Sequence, residues 1–163
     1  MPNTTHTRRW IVVADGGHAR VLALGADGDN LAVVHEMNSP DVHRKTHDIV
    51  TDSAGRSHES ASPTRHAVAP KTDPHDESEN HFVKAVAAHL NKQHQAGAFD
   101  DVVLIIDRSH AHVLKDALDH NTGAKVVQVV TKDLVKTPNH EIRDRMATDG
   151  LLPPRPTRPA LRS

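Results

Sequence analysis

Arg44, Lys45, Arg56, His58, Arg65, His66 and Lys71 fall within one stretch of this chain that has no hydrophobic rhythm. Guanidinium forks match phosphate oxygens bidentately, so the set reads as a grip for RNA or another anionic partner. The plainer reading is a solvated loop whose arginines pair with Asp48, Asp52 and Glu59. Within the same stretch Ser57, His58 and Glu59 supply the residue types of a nucleophile, a base and an orienter. Three consecutive residues do not line up easily as a relay, and no nucleophile-elbow glycines flank the serine. A hydrolase is not expected.

Two carboxylates offer a different chemistry. Asp15 and Asp107 each follow a short apolar run, and carboxylates at the ends of neighbouring strands can hold two Mg²⁺ ions for phosphodiester cleavage. Such a site needs a third or fourth carboxylate, which Glu79 or Asp133 would have to supply. Against it, Asp before Gly is a common turn starter, which is the plain account of Asp15. His43 with His47, and His110 with His112, are pairs at suggestive spacing, but no third ligand is indicated and no metal site is expected. "ADGGHAR" lacks the spacing of a phosphate-binding glycine loop, so nucleotide binding finds no support.

The elements that must position these residues are legible from periodicity. "WIVVA" (Trp10 to Ala14) is a short apolar run rich in β-branched residues, as a buried strand requires. Turn glycines follow in "DGGH", then "ARVLAL" (Ala19 to Leu24) returns, and after "GADGDN" comes "LAVVHEM" (Leu31 to Met37). These three predict an antiparallel meander. From Asn38 to Pro74 the apolar period disappears, and Pro40, Pro63, Pro70 and Pro74 punctuate the stretch. A loop of this length inside a compact domain is usually functional or disordered.

Asp73 and Pro74 make a good helix start, with Asp76, Glu77 and Glu79 in the first turns where the helix dipole favours negative charge. Phe82, Val83, Val86, Ala87 and Leu90 form its apolar face, ordinary core packing, and Gly97 is a plausible stop. "VVLII" (Val102 to Ile106) reads as a strand covered on both faces. A helix capped by Ser109 follows, with Val113, Leu114, Ala117 and Leu118 on its face. Then come a strand, "AKVVQVV" (Ala124 to Val130), and a helix started by Thr137 and Pro138 that carries Ile142 and Met146. The order β-β-β-loop-α-β-α-β-α predicts an α/β fold of ribonuclease-H-like arrangement. Its mixed five-stranded sheet, strand order 3-2-1-4-5, joins a three-stranded antiparallel meander to two parallel strands flanked by helices. We expect a flexible N-terminus over 1–8, one domain over 9–148 containing the long loop 38–74, and a proline-rich tail over 149–163.

Composition narrows the function classes. The chain has 163 residues and no cysteine, which excludes disulfides and cysteine-based zinc sites. Twenty basic and twenty-one acidic side chains leave a formal charge of −1, so no global basic field advertises nucleic acid. Full protonation of the fifteen histidines would carry that charge to about +14, an unusual sensitivity to mild acid. With one Trp, two Phe and no Tyr, a base-stacking platform is not expected. No apolar run approaches a membrane span and no secretory signal is visible, so a cytoplasmic location is expected.

"WIVVADGGHARVL", "DSAGR", "RHAVAPKTDP", "FVKAVAAHLN", "FDDVVLIID" and "KDLVKTPNHEI" occur in the order of the bacterial host attachment family, which the chain resembles from Arg9 to Arg145. "DRSHAH" after the fourth strand departs from the Ala-Pro-Pro-type stretch more usual there. The resemblance implies a protein required for attachment to host cells. The family is in turn similar to the middle domain of archaeal and eukaryotic peptide-chain release factors, whose long loop carries a Gly-Gly-Gln tip. Here Gly55 and Arg56 continue as Ser57, His58 and Glu59, so that tip is missing. The expectation is a binding protein rather than an enzyme, without cofactor, using Arg44, Arg56, His58, Arg65, His66 and Lys71. The alternative is a ribosome- or RNA-associated relative of the release factors. A Mg²⁺-dependent nuclease using Asp15 and Asp107 comes third.

Overall fold

A computed structural model describes residues 8–40 and 74–157. Among the described residues five strands and four helices follow one another: β1 (Arg9–Ala14), β2 (His18–Leu24), β3 (Leu31–Asn38), α1 (Pro74–Gln95), β4 (Asp101–Ile106), α2 (Arg108–Ala117), α3 (His120–Gly123), β5 (Val126–Val130) and α4 (Asn139–Thr148). Arg44, Lys45, Arg56, His58, Arg65, His66 and Lys71 all lie outside the described residues.

The strands form one sheet in the order β3-β2-β1-β4-β5, as the periodicity predicts. β1 pairs antiparallel with β2 and parallel with β4, while β4 pairs parallel with β5. Alternation along the central strands sends side chains to two cores. Val12, Val21, Val102, Leu104 and Ile106 face α1 and α2, meeting Phe82, Val83, Val86, Leu90 and Leu114. Ile11, Val13, Leu22, Val103 and Ile105 face the other way, against Ile142 and Met146 of α4 and Leu152 beyond it. This double coverage is why β4 carries no polar alternation: Val102 to Ile106 are all buried.

Local boundaries differ from the periodicity in small ways. α2 starts after Asp107 rather than at Ser109, and α4 starts after Pro138. The short α3 was not anticipated. It exists because Asp119 accepts a hydrogen bond from the Thr122 backbone N–H at 2.7 Å, which also holds the Asp119 carboxyl below the usual range. α1 ends where expected, with Gly97 in the left-handed region at φ 76°.

Beyond α4 the chain packs down. Leu152 is buried, and Arg155 reaches Asp29 at 2.5 Å and Asp144 at 2.8 Å. "KDLVKTPNHEI" has a structural role of its own: the Arg20 guanidinium donates to the carbonyls of Val135 and Thr137 and, at 2.9 Å, to the Asn139 side chain. One arginine on β2 therefore fixes the approach to α4.

Candidate functional site

β1 and β4 run parallel and in register, Ala14 opposite Ile106, so Asp15 and Asp107 leave the sheet side by side at its carboxyl edge. In open α/β sheets the crevice outside the carboxyl ends of the strands is the usual ligand position. The expected carboxylates are therefore brought together, but each is already engaged. Asp15 Oδ1 accepts from the backbone N–H groups of Gly17 at 2.8 Å and His18 at 2.7 Å, closing the β1–β2 turn. The turn-starter account of Asp15 describes what it does.

Asp107 turns to the first turn of α2, where its two oxygens lie 2.8 and 3.0 Å from His110 Nδ1. The other ring nitrogen, Nε2, is 2.9 Å from Glu79 Oε2. Glu79 Oε1 is 2.8 Å from His75 Nε2. The result is a continuous acid–base chain, Asp107–His110–Glu79–His75, spanning β4, α2 and α1. His110 is the least accessible member, its side chain 12% exposed, against 22% for Asp107 and 25% for Glu79.

Glu79 also lies against the β1–β2 turn. A Cβ on Gly16 would come within 2.4 Å of Glu79 Oε2 and 2.9 Å of Glu79 Cβ. The second contact involves the base of the side chain, which cannot swing away. Gly16→Ala is accordingly expected to lower stability by about 1–3 kcal/mol, the usual range for overpacking, as read from urea unfolding. Measured on a Glu79→Ala background, the loss caused by Gly16→Ala should be smaller, since the closest clash is gone. A full-sized loss that Glu79→Ala leaves unchanged would show that the contact is not the cause.

The cluster is better suited to cross-linking than to catalysis. Both ring nitrogens of His110 face carboxylates, so neither is free to act as a general base on a substrate. Among the described residues no group of three or more His, Asp or Glu side chains is placed to hold a metal ion. Glu79 does arrive at the carboxyl edge, as a third carboxylate would have to. It arrives paired with two histidines. Asp133 instead accepts from the Val135 N–H at 3.4 Å.

The same edge roots the long segment. Ser39, buried just after β3, donates its N–H to Gly17 O at 2.8 Å. Beyond Pro74, Glu79 of α1 packs on Gly16. Both ends of the segment are thus fastened to the one turn, Asp15 to His18.

The opposite edge of the sheet carries an open cleft of about 1000 Å³ between Trp10, Leu24, Leu151 and Pro153. Its arginines are already committed, Arg8 to Asp100 at 3.2 Å and Arg9 to Asp101 at 2.6 Å and to Leu151 O at 2.8 Å.

The sequence reading named Asp15, Asp107 and Glu79 but missed His110 and His75 as partners. Two spacings carried the signal: Asp107 to His110 is i,i+3 at a helix start, and His75 to Glu79 is i,i+4 on a helix.

Comparison with known proteins gives a family and a distant fold likeness. A family model described as "Protein required for attachment to host cells" matches residues 10–146. No curated protein matches the chain. Among solved structures, an archaeal translation termination factor, aRF1, is similar at 11% identity with a TM-score of 0.45. The match covers 88% of this chain and 38% of that one, and a likeness at this level carries no argument about function.

Proposed function

The chain belongs to the family of proteins required for attachment to host cells, and from that premise we propose that it is a binding protein whose contacts are made by the basic, histidine-rich segment. Arg44, Arg56, His58, Arg65, His66 and Lys71 grip an anionic partner, with guanidinium forks on its phosphate, sulfate or carboxylate groups. One observation carries this reading: both ends of the segment are fastened to the Asp15–His18 turn, Ser39 by a hydrogen bond and α1 through Glu79. A recognition segment needs such a rigid root, because binding groups on loops work when a scaffold positions them. The acid–base chain favours the same reading over catalysis, since it leaves His110 no free nitrogen.

The test is binding of the purified, labelled chain to host cells at low and high salt, beside an Arg56→Ala/Arg65→Ala variant. The variant is expected to bind at least about tenfold more weakly, consistent with loss of two charge-assisted contacts. Wild-type binding should fall with salt and tighten on acidification to about pH 5.5, as the histidines of the segment gain charge. Equal binding by both proteins would overturn the assignment to these arginines. Sedimentation of lysate through sucrose separates the alternative: wild type travelling with ribosomal particles, and the variant left at the top, would move the partner to the ribosome.

A further inference from the structure

β3, "LAVVHEMN", is an edge strand, and its pairing with β2 slips midway. Leu22 faces Val33 and Val21 faces His35, so Val34 has no partner of its own. A β-bulge of this kind re-aims the side chains that follow it. Before the bulge Val33, itself exposed, shares the face of Leu22, which packs in the α4 core. After it His35 shares the face of Val21, which looks toward α1. There His35 meets His89 of α1, the two rings stacked with centroids 4.1 Å apart and planes 13° from parallel. His89 Nε2 is buried and has no hydrogen-bond partner among the described residues.

The surroundings of the pair are poor in compensating charge. On α1, the positions one turn from His89 are Ala85 and Val86 on one side and Lys92 and Gln93 on the other. On β2 the neighbour is Val21. On β3, Glu36 is turned to the opposite face, beside Arg20. The His89 ring is held below its ordinary value of 6.5, first by burial, then by the charge of His35, then by that of Lys92.

We propose that the His35–His89 stack is an acid-sensitive fastener between the edge strand and α1, closed when both rings are neutral and opened when both are charged. The sign follows from linkage. A histidine whose folded value lies below its unfolded one favours the neutral form on folding. Its contribution is complete above about pH 6.5 and is lost as pH falls through the folded value. β3 runs directly into Ser39, which is tied to Gly17, so opening the fastener loosens one root of the long segment. This inference rests on the stack and does not require the binding reading above.

Amide hydrogen exchange on the full chain at pH 7.5 and 5.5, corrected for intrinsic rates, reads the fastener directly. In the wild type, β3 amides should lose protection relative to those of β4 by about tenfold at the lower pH, the scale of a local opening. A His35→Phe/His89→Phe variant keeps two stackable rings but no titration, and its ratio should not move. Lys92→Glu keeps both histidines and sets a carboxylate beside them, which favours the charged rings in the closed state and should shrink the acid-induced loss of protection. A wild-type ratio that stays constant, the same loss in the double Phe variant, or an undiminished loss with Lys92→Glu would each overturn the proposal.

Discussion

Replacing Arg143 by alanine is expected to lower the unfolding free energy by about 3–5 kcal/mol, the range for stripping a partner from a buried charged contact or truncating a large core side chain. Arg143 sits on α4 between Ile142 and Met146 and is 0% exposed. Its Nε donates to Asp29 O at 2.7 Å and its Nη2 to Gly28 O at 3.1 Å, so the guanidinium serves the carbonyls of the β2–β3 turn. Truncation removes the stem from the core and leaves the Gly28 carbonyl without this donor. Asp29 O keeps a longer contact from Arg155 at 3.3 Å. Arg143→Met separates the two causes, because it restores most of the volume and none of the hydrogen bonds. It should cost about 1–3 kcal/mol, the penalty of unsatisfied buried acceptors. Lysine should not rescue, since a single ammonium cannot reproduce the planar fork that spans two adjacent carbonyls. Urea unfolding with an unchanged m-value is the measurement. A loss under 1 kcal/mol for alanine would mean that the turn holds its shape without the arginine.

The sheet was legible because its strands are separated by strong punctuation and each is shorter than a helix needs to be. Val102 to Ile106 could only be a strand covered twice, and it is. The expected order 3-2-1-4-5 followed from three strands too closely linked for crossovers, then two reached through helices. α3 was missed because four residues have no period, and only the Asp119 cap marks them. The candidate site was legible one residue type at a time. Asp15 and Asp107 end neighbouring strands, which the strand order predicts. That Glu79 would lie on Gly16 and take His110 from α2 depends on how α1 crosses the sheet, and helical periodicity gives the buried face of a helix but not its crossing. The His35–His89 stack was illegible for a sharper reason: a bulge at Val34 reverses the face of every later residue in β3, and nothing in "AVVHE" announces it.

His110→Ala is expected to cost about 2–3 kcal/mol, less than the loss at a fully buried ion pair because the cluster keeps some access to water. The ring stands between the carboxylates of Asp107 and Glu79, with nitrogen–oxygen distances of 2.8 and 2.9 Å. Without it, two carboxylates from different elements face one gap with no donor between them. Glu79 keeps His75, while both oxygens of Asp107 lose their contact with His110 Nδ1. A second substitution apportions the loss. Glu79→Gln on the His110→Ala background removes one of the facing charges and supplies an amide donor. It should recover about 1 kcal/mol, whereas Glu79→Gln alone, with the imidazole still present, should destabilise. That reversal of sign is what a charge-mediated cross-link requires. A packing role for the ring predicts instead that the two losses add. The spatial readout should agree: exchange at the first turn of α1 and at the Asp15–His18 turn should rise in His110→Ala while β5, the edge strand beyond β4, stays protected. If unfolding shows the sign reversal but exchange rises everywhere equally, the cluster supports the whole fold; if exchange rises only at these two places, it is the fastening of the segment's root.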